Sequence, residues 1–163
     1  MSAATAADGS RIRSAQSSDL DRVAALWTAL TEHHAACDPF FALRDDAEAA
    51  IRRLLVATLR DPEAAIFVCE REGVLLGFCG VRIDCAPPIQ RETRRAEITD
   101  LMVLASERRR GVGRALVERA LGWVEERGVE RCEVRVATRN PEGQQFWRSL
   151  GFGDLMDVLQ RRL

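Results

Sequence analysis

Apolar residues recur along this chain with two different periods, and the changes of period divide it into predicted elements. A short strand candidate at residues 11–14 is followed by two stretches, 19–34 and 45–60, whose apolar residues recur every three or four positions, as in amphipathic helices. Residues 65–84 then contain two runs rich in β-branched and aromatic side chains, separated by Glu72-Gly73. This arrangement predicts a β-hairpin with a tight turn.

The second half of the chain alternates between the two periods. Residues 96–104 and 132–138 have the composition of strands, and residues 113–128 form an amphipathic helical pattern. A short helix pattern begins at Pro141, and residues 154–163 alternate as in a final strand. The order β-α-α-β-β-β-α-β-α-β, without an internal repeat, predicts one domain of the mixed α/β class.

Length and composition are those of one ordinary domain. The chain has 163 residues, of which 47% are apolar, and no apolar run approaches the ~18 residues that span a bilayer, which argues against a membrane role. Residues 1–9 lack the charged start and apolar centre of a signal peptide and are interpreted as a disordered tail, so that the domain covers residues 10–163. We therefore expect a cytoplasmic protein.

Cysteine content and charge argue against further classes. The five cysteines are odd in number and form no C-x-x-C pair, so neither a disulfide framework nor a metal site is expected. The 24 basic residues are all arginine, but 25 acidic residues bring the net charge to −1. A nucleic-acid partner is not expected, because it would require the arginines to gather on one face.

The stretch ERRRGVGRAL, residues 107–116, has the composition of an anion-binding corner. A predicted strand ends near Leu104 and a predicted helix begins near Gly113, so the free N–H groups and the positive dipole end of the helix lie at the edge of the sheet. Glycines at 111 and 113 leave the backbone accessible to a phosphate oxygen. The loop lacks the lysine of a Walker A motif, and Leu116 stands where a Rossmann fingerprint needs glycine. Taken alone, these residues also fit a solvated turn.

Three segments of the chain together resemble the GNAT superfamily of acyl-CoA-dependent N-acetyltransferases. RRRGVG fits the pattern Arg/Gln-x-x-Gly-x-Gly/Ala of that family's pyrophosphate loop, with Arg108, Gly111 and Gly113 at the fixed positions. DLMVL upstream is similar to the family's central strand, and NPEGQQFWRSLGF downstream is similar to its Asn-x-x-Ala-x-x-Phe-Tyr-x-x-x-Gly-Phe segment. The resemblance extends over residues 11–163 and implies a mixed central sheet of six to seven strands flanked by about four helices.

The resemblance implies that acetyl-CoA is the acyl donor and that two parts of the chain bind it. Backbone groups of the central strand pair with the pantetheine arm, and the arginine-glycine loop holds the pyrophosphate. Asn140 bonds to the same arm or caps the helix that begins at Pro141. An irregular alternation at Thr99-Asp100 predicts a β-bulge that opens the strand for a ligand. The implied donor-binding residues are Leu101, Met102, Val103, Arg108, Arg109, Arg110, Gly111, Val112, Gly113, Arg114, Asn140 and Trp147.

The resemblance also implies an activity, the transfer of an acetyl group to a primary amine by direct attack through a tetrahedral intermediate. Glu97 stands eleven residues before Arg108, the offset of a catalytic glutamate in several branches of the family, and Asp100 competes with it as general base. Either acid could instead pair with a neighbouring arginine. The backbone N–H of Leu101 is implied as the oxyanion donor.

The general acid is the point at which the chain departs from the family. The family's frequent tyrosine falls at Trp147, whose indole N–H is too weak an acid to protonate a thiolate, and the chain contains no tyrosine. Water, Cys79 or Cys132 could supply the proton, or the thiolate could leave unprotonated. The missing tyrosine motivates an alternative function, that of a catalytically reduced acyl-CoA-binding or regulatory domain.

Acceptor selection in this family depends on the first two helices and on the loop that here covers residues 85–95. His33 and His34, near the end of the first helix, are candidates for lining an acceptor pocket, or are structural. A small-molecule amine and a peptide amine are both compatible with the sequence, as are a monomer and a homodimer.

Overall fold

The computed structural model describes residues 9–89 and 91–161, and in this part of the chain four α-helices surround a five-stranded sheet. The strands are β1 (Arg11–Ser14), β2 (Ala64–Arg71), β3 (Val74–Cys85), β4 (Arg94–Val103) and β5 (Cys132–Val134). The helices are α1 (Leu20–Cys37), α2 (Ala47–Arg60), α3 (Val112–Glu125) and α4 (Pro141–Ser149). Short 3-10 turns lie at Ser17–Asp19, Pro39–Phe41 and Ala105–Glu107. The predicted mixed α/β class is confirmed.

The sheet has the strand order β1-β2-β3-β4-β5. Neighbours are antiparallel from β1 to β4, and β5 joins β4 in parallel. The predicted hairpin is confirmed, because Arg71 pairs with Val74, and Glu72 and Gly73 both have positive φ, 51° and 80°. Two successive left-handed residues give a turn whose twist matches that of the strands.

Helices cover both faces of the sheet, because its central strands are apolar on both sides. α3 packs on one face, where Phe67, Ile98 and Leu116 are buried in one apolar cluster. α1 and α2 pack on the other face, where Val23 and Phe78 belong to a second cluster. Successive residues of one strand are therefore buried against opposite helical layers, which explains why the sequences of β2 and β3 are nearly continuous apolar runs.

The prediction of six to seven strands was wrong for the described part of the chain. β5 stops at Val134, and residues 154–161, predicted as a final strand, form none. An alternating pattern specifies a strand only where one face is buried and a neighbouring strand supplies hydrogen bonds. The apolar side chains of this segment are instead 59–91% exposed: Leu155, Met156, Val158 and Leu159. Residues 1–8, nearly all of the predicted tail, lie outside the described residues.

A buried ion cluster ties β1 to the start of α1 and to the hairpin. The Asp19 carboxylate is 1% exposed and accepts hydrogen bonds from Arg13 at 2.6 and 3.0 Å, from Arg22 at 2.6 Å and from the Gln16 backbone at 2.8 Å. Arg13 also pairs with Glu70 on β2. The pKa of Asp19 is lowered to about 2, chiefly by the hydrogen bond from Arg13 and then by the backbone hydrogen bond and the nearby positive charges. Burial of the carboxyl acts in the opposite direction and raises the pKa.

Asp19→Asn is expected to lower the free energy of unfolding by about 3 kcal/mol, because it leaves two arginines without their shared buried partner. The stabilisation from the lowered pKa is complete above about pH 4 and is lost as the pH falls from about 4 to 2. Urea titrations between pH 7 and pH 2.5 measure both effects. The control is Asp21→Asn, two residues further along in the first turn of α1, where the 75% exposed carboxylate pairs with Arg52 and the expected loss is below about 0.5 kcal/mol. Equal losses in the two variants would contradict the assignment.

Candidate active site

A one-residue bulge in β4 sets the geometry of the site. In the pairing of β4 with β3, Ile98 lies opposite Val81 and Asp100 lies opposite Gly80, so Thr99 has no partner on β3. The predicted bulge is confirmed. Gly80 makes room for it, because a Cβ at this position would lie 2.6 Å from the Thr99 hydroxyl oxygen.

The bulge brings the two candidate bases onto one face of the sheet. Side chains alternate along a strand, and the extra residue makes Glu97 and Asp100 point the same way although they are three positions apart. Ile98 and Leu101 lie with the α3 layer, whereas Met102 lies with the α1–α2 layer. Glu97 and Asp100 therefore face the side of α1 and α2.

Beyond the bulge, β4 has a neighbouring strand on one side only. β5 pairs with residues 96–98 and ends at Val134, so no strand of the described chain lies beside residues 99–103 on that edge. An extended ligand can add to such an open edge as a further strand would. This open half contains three of the predicted donor-binding residues, Leu101, Met102 and Val103.

The predicted strand-loop-helix corner is confirmed where β4 leads into α3. Arg109 and Gly111 both have left-handed backbone, with φ of 64° and 85°, and α3 begins at Val112. Left-handed residues that alternate with residues of negative φ make successive N–H groups converge, as in an anion-binding nest. The side chain of the N-cap residue cannot satisfy the first N–H groups of α3, because that residue is Gly111.

The arginines of this corner are exposed, and a buried carboxylate fixes the loop from which they extend. Glu107 is 8% exposed and accepts a hydrogen bond of 2.7 Å from Arg71, which joins the loop to the end of β2. Its other carboxylate oxygen lies 3.8 Å from an Arg110 nitrogen. The corner therefore offers backbone N–H groups on a fixed loop, surrounded by the exposed side chains of Arg108, Arg109, Arg110 and Arg114.

The two glycines of the corner have different roles. A Cβ at Gly113 would lie 3.4 Å from two ring carbons of Phe146 and 3.6 Å from a methyl carbon of Val103. A longer side chain at Gly113 would therefore displace the Phe146 ring from the end of β4. Gly111 has no atom within 4 Å of such a Cβ, but its φ of 85° disfavours other residues.

α4 packs on the apolar cluster on the α3 side of the sheet, and it contains or begins at two of the predicted residues, Trp147 and Asn140. The Asn140 side-chain oxygen accepts a hydrogen bond of 2.9 Å from Gly143 N–H, which confirms its predicted role as a helix cap. Trp147 is 8% exposed and packs edge-on against Phe146 and Phe152, with ring centroids 5.1 and 5.2 Å away. Trp147 is therefore part of the core, and contact of Asn140 or Trp147 with an acyl donor stays a prediction.

The first candidate base, Glu97, forms ion pairs with two arginines. One of its carboxylate oxygens accepts a hydrogen bond of 2.7 Å from Arg82, and the other lies 3.3 Å from Arg135. The alternative interpretation of this residue, pairing with a neighbouring arginine, is thus what the structure contains. Both carboxylate oxygens of Glu97 are therefore already engaged by guanidinium groups.

The second candidate base, Asp100, has a different environment. Burial raises the pKa of its carboxyl above the ordinary value, and the negative charge of Glu97 raises it further. Hydrogen-bonding interactions with the Thr99 hydroxyl and the Trp27 indole, and the charge of Arg82, oppose this shift. Asp100 thus has the properties expected of a general base, partial burial, a raised pKa and neighbours that orient it.

The two cysteines considered as proton donors have the wrong acidity. Burial raises the pKa of the Cys79 thiol far above its ordinary value and that of Cys132 to about 11. A thiol with so high a pKa does not readily protonate the thiolate of CoA near neutral pH. Burial thus makes both thiols weaker acids than an exposed cysteine, which argues against either as the proton donor.

An apolar groove of about 320 Å³ lies between α1, α2 and the segment that joins them. Trp27 lines this groove and also interacts with Asp100, so one side chain connects the groove with the candidate base. His33 and His34 are not among the residues that line it. His34 packs on the Phe41 ring with centroids 5.5 Å apart, and burial and then the nearby His33 lower its pKa.

Sequence reasoning missed three residues of this site. Gly80 carried a usable signal, because a glycine inside a strand marks a bulge or a close approach. Trp27 and Glu107 carried none, because a tryptophan on an apolar helix stripe predicts core and a glutamate before three arginines predicts a solvated turn. Their roles depend on contacts across the fold.

No helix in the described part of the chain is both long and apolar enough to cross a bilayer. Within residues 9–89 and 91–161, the His, Cys, Asp and Glu side chains form no group of three or more that could hold a metal ion.

Comparison with known proteins defines the class to which this fold and site belong. Residues 27–152 match the acetyltransferase (GNAT) family, and the chain belongs to that family. An uncharacterized N-acetyltransferase of Methanocaldococcus jannaschii is 35% identical over 95 residues, which are 58% of this chain and 41% of that protein. The chain spans less than half the length of the curated relatives it matches.

Solved structures share the fold over almost the whole chain. A mutant protein from Bacillus halodurans has a TM-score of 0.83 at 22% identity, covering 93% of this chain and 98% of that one. The aminoglycoside acetyltransferase AAC(6')-Iy, in complex with a bisubstrate analogue of CoA and acetylneamine, has a TM-score of 0.74 at 23% identity, covering 94% and 97%. At these identities the likeness establishes the fold.

Proposed function

We propose that this chain transfers the acetyl group of acetyl-CoA to a primary amine, with Asp100 as general base. The observation that carries the proposal is the open half of β4, which has an oriented carboxylate at one end and the N-terminus of α3 at the other. Membership of the acetyltransferase (GNAT) family supports the use of an acyl-CoA donor.

Two features of the chain fit acetyl-CoA as the donor substrate. The nest of Arg109 and Gly111 at the start of α3 presents backbone N–H groups suited to the diphosphate, and the surrounding arginines add positive charge. The unpaired edge at residues 99–103 suits the extended amide-bearing pantetheine arm. The two features are consecutive along the chain, so one ligand can span both.

The proposed chemistry uses three groups of this chain. Asp100 takes a proton from the ammonium form of the acceptor, which frees the nitrogen lone pair to form a C–N bond with the thioester carbon. The backbone N–H of Leu101 stabilises the negative charge that develops on the carbonyl oxygen. The C–S bond then breaks with its electron pair on sulfur, and one of the two protons left on the nitrogen passes to solvent while the other stays on the amide. The thiolate leaves without a protein proton donor.

A screen of primary amines with acetyl-CoA, read by thiol release and by the mass of the acetylated product, tests the activity. We expect amine-dependent release of CoA, and we expect CoA at about 100 times its Kd to stabilise the fold by about 2.7 kcal/mol in a thermal-shift measurement. Stabilisation by CoA without turnover of any amine would favour the alternative, an acyl-CoA-binding or regulatory domain. If CoA neither stabilised the fold nor was released in the presence of any amine, both functions would be rejected.

A further inference from the structure

We infer that the preferred acceptor is a primary amine attached to an apolar group, such as an aromatic ring, which occupies the groove between α1 and α2. The inference rests on the proposed function and specifies its substrate class. Trp27 on α1 lines the groove, and Asp100 lies on the face of β4 that is turned toward α1 and α2, where it interacts with the same indole. An amine held at Asp100 therefore has its substituent directed along Trp27 into the groove.

The lining of the groove determines the chemistry of that substituent. Apart from Trp27, its wall is formed largely by Leu43, Ala47, Ala50, Ile51 and Leu54. Leu43 and Leu54 are 38% and 55% exposed, which leaves apolar surface open at the rim for a ligand to cover. A groove of about 320 Å³ is within the range of small-molecule sites.

The charges at the groove argue against a polycationic acceptor. Arg44 and Asp46 both line it, but they pair with each other at 2.7 Å and leave no net charge at the rim. On the face of β4 turned toward α1 and α2, Asp100 is the carboxylate that interacts with Trp27, and Glu97 beside it is engaged by two arginines. One positive charge is therefore matched at the base, and additional ammonium groups would lie on an apolar wall at a desolvation cost.

Equilibrium binding and turnover of three probes test the inference. The probes are 2-phenylethylamine, ethanolamine and the aminoglycoside kanamycin, and binding is followed by ligand-observed NMR in the presence of CoA. We expect 2-phenylethylamine to bind at least about tenfold more tightly than ethanolamine, because its ring buries apolar area in the groove. Equal binding of the three, or a preference for kanamycin, overturns the inference.

A matched pair of variants locates the preference in the groove. Ala50→Trp fills the groove and is expected to weaken 2-phenylethylamine binding by about tenfold or more while ethanolamine binding stays within about twofold. Ala49→Trp places the same side chain at the adjacent exposed position, which does not line the groove, and should change neither. If Ala50→Trp lowers the melting temperature, Leu54→Gln at the exposed rim replaces it as the test. Unchanged 2-phenylethylamine binding in the folded groove variant contradicts the inference.

The binding measurement separates this inference from the proposed function. Selective, groove-dependent binding of 2-phenylethylamine supports the apolar acceptor even if no CoA is released, whereas unselective acetylation of all three probes supports the acetyltransferase and rejects the apolar preference. A tripeptide that begins with phenylalanine serves as a further probe. Tighter groove-dependent binding of this peptide than of 2-phenylethylamine assigns the apolar amine to a peptide end, and the reverse assigns it to a small molecule.

Discussion

Asp100→Asn is expected to lower kcat by about 10²–10⁴-fold, the contribution typical of a positioned general base. The amide is nearly isosteric with the carboxylate and retains an oxygen for the Trp27 indole and the Thr99 hydroxyl, so the local contacts are largely preserved. The loss should therefore fall on kcat with little change in the Kd of CoA. Thiol-release kinetics across pH, together with CoA titration, measure the two quantities.

The pH profile provides the sharper evidence. A base must be deprotonated to act, so wild-type kcat/KM should fall as the pH drops through the raised pKa of Asp100, and this acid limb should vanish in Asp100→Asn. Glu97→Gln is the control. This variant should lower kcat by less than about tenfold, because Glu97 is engaged in ion pairs. It should also move the acid limb to lower pH, because the charge of Glu97 contributes to the raised pKa of Asp100.

The opposite outcome would identify the other acid. If Glu97→Gln abolished turnover and Asp100→Asn retained both turnover and the acid limb, the base would be Glu97 and the ion pairs with Arg82 and Arg135 would have to open during the reaction. Strong losses in both variants with a common acid limb would indicate that the two carboxylates titrate as one unit. The proposed assignment requires that the acid limb vanish in Asp100→Asn and remain in Glu97→Gln.

Features with a local physical cause could be predicted from the sequence. The hairpin follows from Gly73 after Glu72 between two apolar runs, and α3 follows from an apolar stripe that begins after Gly111. The bulge could be predicted because Ile98 and Leu101, three positions apart, break the alternation of a strand. The cap at Asn140 could be predicted from the proline that follows it. In each case the decisive residues lie within a few positions of one another.

Features that depend on distant contacts could not be predicted. The choice between Glu97 and Asp100 depends on Arg82, Arg135 and Trp27, which come from three distant parts of the chain. Residues 154–161 have the alternation of a strand, but whether a strand forms depends on a pairing partner and a buried face, which the segment's own pattern does not specify. Local pattern thus predicted the framework of the site, while the electrostatic environment of its acids required the fold.

Gly111→Val is expected to weaken CoA binding by about 100-fold. A β-branched residue is strained at a φ of 85°, and the backbone change that relieves this strain would turn N–H groups away from the diphosphate. Calorimetric titration with CoA measures this loss, and the thermal shift with CoA should shrink with it. Far-UV circular dichroism checks that the fold is retained, which is expected because no atom lies within 4 Å of a Cβ at this position.

Gly122→Ala in the same helix is the matched control for the corner. A Cβ at Gly122 also meets no atom within 4 Å, and its backbone is helical, so this variant should gain about 0.5–1 kcal/mol of stability and bind CoA as the wild type does. A difference in CoA affinity between the Gly111 and Gly122 variants separates the effect of the left-handed turn from the general effect of adding a side chain. If Gly111→Val bound CoA with unchanged affinity, the N–H groups at the start of α3 would not be what holds the diphosphate, and the exposed arginines would have to bind it alone.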